Sequence, residues 1–160
     1  MRNRNFEEWK RGSGELLGFA IVVPFVMLLI CAILSATQVS SLQQRLTYAT
    51  YTASRAACVS NNEERAVFRA DAVVADMYGS SYTGYKLFRQ GETVTVPHLE
   101  NGQVFLAVQM LAPEWKKGAT LRCTLYQYIV PLIPFSNATH YQSLTVVIEN
   151  DTITQYDDAD

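Results

Sequence analysis

The spacing of apolar residues changes three times along the chain, and each change predicts a different element. From Leu16 to Ala36 apolar residues dominate and no charge interrupts them. At about 1.5 Å of rise per residue a helix over this run is roughly 30 Å long, the thickness of a bilayer's hydrocarbon core. Past Thr37 the run becomes periodic. Leu42, Leu46, Ala49, Ala53 and Ala56 recur at steps of four and three, with no Gly or Pro before Cys58, so the helix is expected to continue as a stalk with one apolar face. That face ends in alanines, which admit a close neighbour: the chain's own sheet, a helix of another subunit, or both at different heights.

A second helix is expected after Ser60, which with Glu63 reads as a capping box. Glu63 and Glu64 occupy its first turn, Gly79 follows its end, and Val67, Ala70, Val74 and Met77 form its apolar face. From Tyr82 the period falls to two. Val94 and Val96 alternate with threonines after a Gln90-Gly91 turn, Asn101-Gly102 reads as a hairpin turn before Val104 to Leu111, and two further runs cover Leu121 to Val130 and Leu144 to Ile148. Pro131 and Pro134 break the last connection, because neither can donate to a ladder. The expected class is α+β: a long N-terminal transmembrane helix continuing into a stalk, a second helix, and a four- to five-stranded antiparallel sheet.

This order divides the chain into a leader at 1–15, a span at 16–36, and a stalk helix with a compact head at 37–160. Arg2, Arg4, Lys10 and Arg11 precede the span and only Arg45 falls within the fifteen residues after it. Cytoplasmic flanks carry the Lys/Arg excess, so the leader is expected to be cytoplasmic and the head extracytoplasmic, on a single-pass protein of the cell membrane. A cleavable signal peptide would have a shorter apolar region closing on an A-x-A-like site, whereas I-L-S-A-T places Leu34 three residues before the break.

Charge and chemistry narrow the reading. The chain has 13 Lys/Arg and 15 Asp/Glu; four of the basic and three of the acidic residues precede Thr37, which leaves the rest at a net of −3 without a basic cluster. A nucleic-acid partner is not expected. His98 and His140 stand apart without metal-ligand spacing, and the chain has no G-x-S-x-G elbow, glycine-rich phosphate loop or C-x-x-C. Catalytic residues, a metal site and a cofactor are therefore not expected, and the grouped oxygens of Glu149, Asn150 and Asp151 fall short of a calcium loop. Cys31 lies in the span. Cys58 and Cys123 would both lie where disulfides persist and form a candidate bridge. Asn137-Ala138-Thr139 and Asn150-Asp151-Thr152 fit the glycosylation sequon, which matters only in a eukaryotic secretory setting.

Three segments, R-G-S-G-E-L-L-G-F-A-I-V-V-P-F-V-M-L-L, T-Y-A-T-Y-T-A-S-R-A-A-C-V and L-R-C-T-L-Y-Q-Y-I-V-P-L-I-P-F, resemble the TadE-like pseudopilins, the minor pilins of bacterial tight adherence (Tad) pili. The resemblance covers the first helix well and the final sheet loosely. It implies a leader cut by a prepilin peptidase, with Gly12 or Gly14 before the cut, Phe19-Ala20 as the aromatic-small pair and Pro24 as the helix proline. It also implies membrane lipid, other pilin-like subunits and pilus assembly proteins as partners, in the membrane or in an extracellular pilus. One position departs from the pattern: the family usually carries Glu immediately before the aromatic residue, where this chain has Gly18, and Glu15 is the nearest carboxylate. Such a carboxylate is thought to pair with a neighbour's amino terminus. Two function classes follow. The first is a structural or assembly subunit; the second is a membrane-anchored binding module that never enters a filament. A secreted enzyme released by cleavage near Ala36 is a distant third.

Overall fold

The structure is a computed structural model that describes the backbone of residues 4–130 and 138–150, with side chains from Gly18 onward. One helix, α1, runs unbroken from Arg4 to Cys58, and α2 follows at Glu63–Tyr78. A short 3-10 turn at Gly79–Ser81 leads into four strands: β1 (Tyr82–Phe88), β2 (Val104–Met110), β3 (Thr120–Tyr128) and β4 (Thr139–Val147). They form one sheet in the order β1-β2-β3-β4.

The α+β class stands, but the sheet is mixed. β2, β3 and β4 pair antiparallel, whereas β1 runs parallel to β2. Parallel neighbours need a crossover of a dozen or more residues, and the stretch between Phe88 and Val104 supplies it. Both turns expected there exist: Glu92 N–H donates to the Arg89 carbonyl and Gln103 N–H to the Glu100 carbonyl, each at 3.0 Å, with Gly91 and Gly102 at φ of 85°. They shape the crossover and close no hairpin. Val94 and Val96 are accordingly not in a strand; they pack with buried Phe88, Leu99, Phe105 and Ala107 over the outer face of the sheet.

The second correction concerns the cap of α2. Asn62 holds it, its Oδ1 accepting from Arg65 N–H at 2.8 Å, while the Ser60 hydroxyl donates to the Ala56 carbonyl at 3.0 Å. Asn caps as well as Ser does, and the shift still leaves Glu63 and Glu64 in the first turn. The face of α2 is Ala66, Val67, Ala70 and Val74, fully buried, with Met77 half-buried beside them.

These pieces stack in three layers, with α1 and α2 on one face of the sheet and the crossover on the other. The alternation along β2 shows the consequence: Val104, Leu106, Val108 and Met110 enter the core under the helices, and Phe105 and Ala107 enter the cluster under the crossover.

Candidate functional site: the two halves of the first helix

The long helix meets two different environments. From Gly18 to Leu34 its large apolar side chains are uncovered on every side, Phe19 70% and Leu28 69% exposed among them. Uncovered apolar surface on this scale is unstable in water, and among the described residues this is the one helix long and apolar enough to cross a membrane. Pro24 lies inside it and cannot donate to the Ala20 carbonyl one turn back. Phe19 projects outward with the rest. A side chain at Gly18 would meet nothing within 4 Å, so packing does not require glycine where the pilin pattern has Glu. Gly12, Gly14 and Glu15 lie on helical backbone ahead of the residues whose side chains are described.

Beyond Thr37 the helix turns one face to the head. Leu42, Leu46, Ala49 and Ala53, the stripe read from the sequence, are all buried in the core formed with α2 and the sheet. The stripe then ends on Ala57, fully buried, while Ala56 is only half-covered. The helix runs alongside β4 in the same direction: the Thr50 hydroxyl, which donates to the Leu46 carbonyl at 2.7 Å, also approaches the Gln142 carbonyl at 3.5 Å, and Glu149 N–H donates to the Cys58 carbonyl at 2.9 Å. Arg55 Nη1 closes the same end on Glu149 Oε1 at 2.7 Å. The stalk's inward face is therefore occupied by its own domain. Its outward face carries exposed Tyr48 and Tyr51, with Ser40, Gln43, Gln44 and Thr47 around them. That outward face is legible as the complement of the stripe, but apolar periodicity alone gives it no role.

Cys58 and Cys123 are both unbridged thiols in the structure, buried in the head. Burial pushes the Cys123 thiol up to about 11, with nearby Cys58 adding to the rise and the Ser54 hydroxyl opposing it. Burial likewise raises Cys58, helped by Glu149 and opposed by Arg55. A thiol held neutral in this way is a poor nucleophile. Elsewhere the polar groups noted in the sequence are dispersed or engaged. His98 is exposed and His140 half-buried on separate segments. Glu149 is tied to Arg55, and the Asn150 carbonyl accepts from Trp115 Nε1 at 3.2 Å. Among the described residues no group of three His, Cys, Asp or Glu side chains could hold a metal. Asn137, Asp151, Thr152, Pro131 and Pro134 lie outside the described residues.

A family model described as TadE-like protein matches residues 19–55. No curated protein and no solved structure matches the chain. The match begins at the exposed Phe19 and ends at Arg55, covering the apolar half of the helix and the stalk together.

Proposed function

On the premise that this is a TadE-like, Tad pilus-associated protein, we propose that it is a minor-pilin-like structural or assembly subunit, anchored by α1 with its amino end cytoplasmic and its head outside. The observation that carries the reading is the continuity of α1: an apolar span uncovered on all sides passes without a break into a stalk whose inner face belongs to the head. A rod of this kind transmits the position of the anchor to the head rigidly, which suits assembly by lateral helix packing. Contacts with other pilin-like subunits and assembly proteins then fall on the span and on the outward stalk face of Tyr48 and Tyr51.

Processing belongs to the same proposal. A prepilin peptidase would cut after Gly12 or Gly14, at the cytoplasmic end of the span, and a cut after Gly14 makes Glu15 the first residue. The amino-terminal mass of protein extracted from membranes tests this together with topology. A cut after either glycine supports the subunit reading; an intact terminus on a protein that also fails to co-purify with pilus components would overturn it.

A further inference from the structure

At the span-proximal rim of the head, a groove of about 470 Å³ opens between α1 and the end of β3. Its position follows from direction. α1 and β4 run away from the span together, β3 is antiparallel to β4, and so the last residues of β3, Gln127 and Ile129 just beyond it, return to the level of the stalk's first turns. Leu34, Gln38, Ser41 and Arg45 form the helical wall. The groove is of small-molecule size, about 300–1,000 Å³.

Its chemistry is graded along the helix axis. At the span end Leu34 is apolar and continuous with the lipid-facing surface; Gln38 and Ser41 follow, and Arg45 closes the far end. Arg45 lies over the Tyr78 ring at 5.9 Å, and among the described residues no carboxylate is within salt-bridge distance of it. A cation resting on an aromatic face is positioned while its N–H donors stay available. Side chains on a helix lean toward its amino end, so the guanidinium leans back toward the membrane. Arg45 is nine residues past Ala36, about 14 Å at 1.5 Å per residue, and one turn of backward reach takes its head to about 8 Å above the hydrocarbon edge, the outer limit of the headgroup layer.

We propose that this groove binds one anionic phospholipid of the leaflet facing the head, with its phosphodiester on Arg45, Gln38 and Ser41 and its glycerol and first chain carbons against Leu34 and Ile129. The proposal rests on the membrane-anchored reading. The apolar lower wall, continuous with the span, favours a lipid over a free anion. The uncompensated guanidinium favours an anionic headgroup over a zwitterionic one, which carries its own cation. Gln127 serves as a fixed wall, since its Nε2 already donates to the Gly102 carbonyl at 3.4 Å.

The test uses the full chain, purified in detergent and exchanged with palmitoyl-oleoyl phosphatidylglycerol, with lipid retention read by native mass spectrometry. The wild type is expected to retain one phosphatidylglycerol, Arg45→Ala to lose it with roughly tenfold weaker retention, and Arg45→Lys to recover most of it, as for loss of one charge-assisted contact. Diacylglycerol, which lacks the phosphate, and glycerophosphoglycerol, which lacks the chains, should neither bind nor compete. Equal retention by wild type and Arg45→Ala, or displacement of the lipid by millimolar inorganic phosphate, would overturn the lipid site. Circular dichroism checks the head in each variant. Should Arg45→Ala unfold it, Gln38→Leu, on an exposed helix position, carries the same comparison. Retention of the protein in carbonate-washed membranes tests anchoring separately, so loss of the groove's lipid and failure of the anchored reading give different results.

Discussion

The two halves of α1 have nearly the same helical backbone and opposite surroundings. Between Gly18 and Leu34 every large apolar side chain is exposed; between Leu42 and Ala57 the apolar side chains other than half-covered Ala56 form one buried file, and the remaining faces are mostly polar or aromatic. The difference shows one rod in two settings: the second half is covered by the protein's own head, and the first is uncovered, with the length and composition of a helix that could cross a membrane. A leucine therefore has a different meaning in each half. In the span it sets insertion, and in the stalk it sets the fold of the head.

The same substitution in each half should separate these meanings most sharply. Leu46 is 1% exposed. Removing a buried leucine costs about 2–5 kcal/mol, and burying a carboxylate in its place adds more, against a total of about 5–15 kcal/mol for a typical domain. Leu46→Asp is expected to leave the chain in the membrane with a protease-sensitive head. Leu28→Asp should do the reverse: a folded head with weakened insertion, since an acidic residue at mid-span costs about 2.5–3.5 kcal/mol. If both variants gave the same phenotype, the division of the helix would be wrong.

Alkaline pH probes a buried thiol of the head. In reduced protein, Cys123 has its pKa raised from the ordinary 9.0 to about 11. A raised thiol pKa contributes stability that is fully present below pH 9 and is lost as pH rises through 11, an effect of about 2–3 kcal/mol. Denaturant unfolding should show this loss, and Cys123→Ala should flatten the slope between pH 9 and 11. An unchanged slope would mean that other groups, such as Tyr82, whose pKa is raised first by burial and then by its hydrogen bond to Asp71, account for the whole alkaline loss.

These comparisons also show where sequence reading suffices. The span and the stripe through Ala53 are visible because periodicity reports which side of a helix is covered; what covers it stays open in the sequence, and the head proves to be the cover. The crossover imitates a strand because Val94 and Val96 alternate as strand residues do, yet their burial comes from lying across Phe88 and Phe105 and not from a ladder. Parallel pairing of β1 with β2 leaves no local signal, since Asn101-Gly102 makes the same turn in a crossover as in a hairpin. The lipid-facing groove is invisible for a similar reason: Gln127 and Ile129 reach Arg45 only through the antiparallel return of β3.

Smaller effects refine the head side. Asn62→Ala removes the cap of α2 and should cost about 1 kcal/mol, whereas Ser60→Ala, whose hydroxyl donates to the Ala56 carbonyl, should not reproduce that loss through the amino end of α2. Smallest of all is the Arg55 to Glu149 pair, whose side chains are 52% and 51% exposed. Arg55→Ala should leave the thermal midpoint nearly unchanged, because pairs this exposed are screened by solvent.

The central claim is that α1 serves an assembly while its inner stalk face serves the head. A photo-crosslinking amino acid at position 48, where Tyr48 is 65% exposed on the outward face, tests it in cells that build Tad pili. Crosslinks from position 48 to pilin-like subunits, absent when the probe is moved to exposed Thr95 on the crossover side of the head, are the predicted result. A folded, membrane-inserted protein that gives no such crosslink from position 48 or from the span would contradict the account.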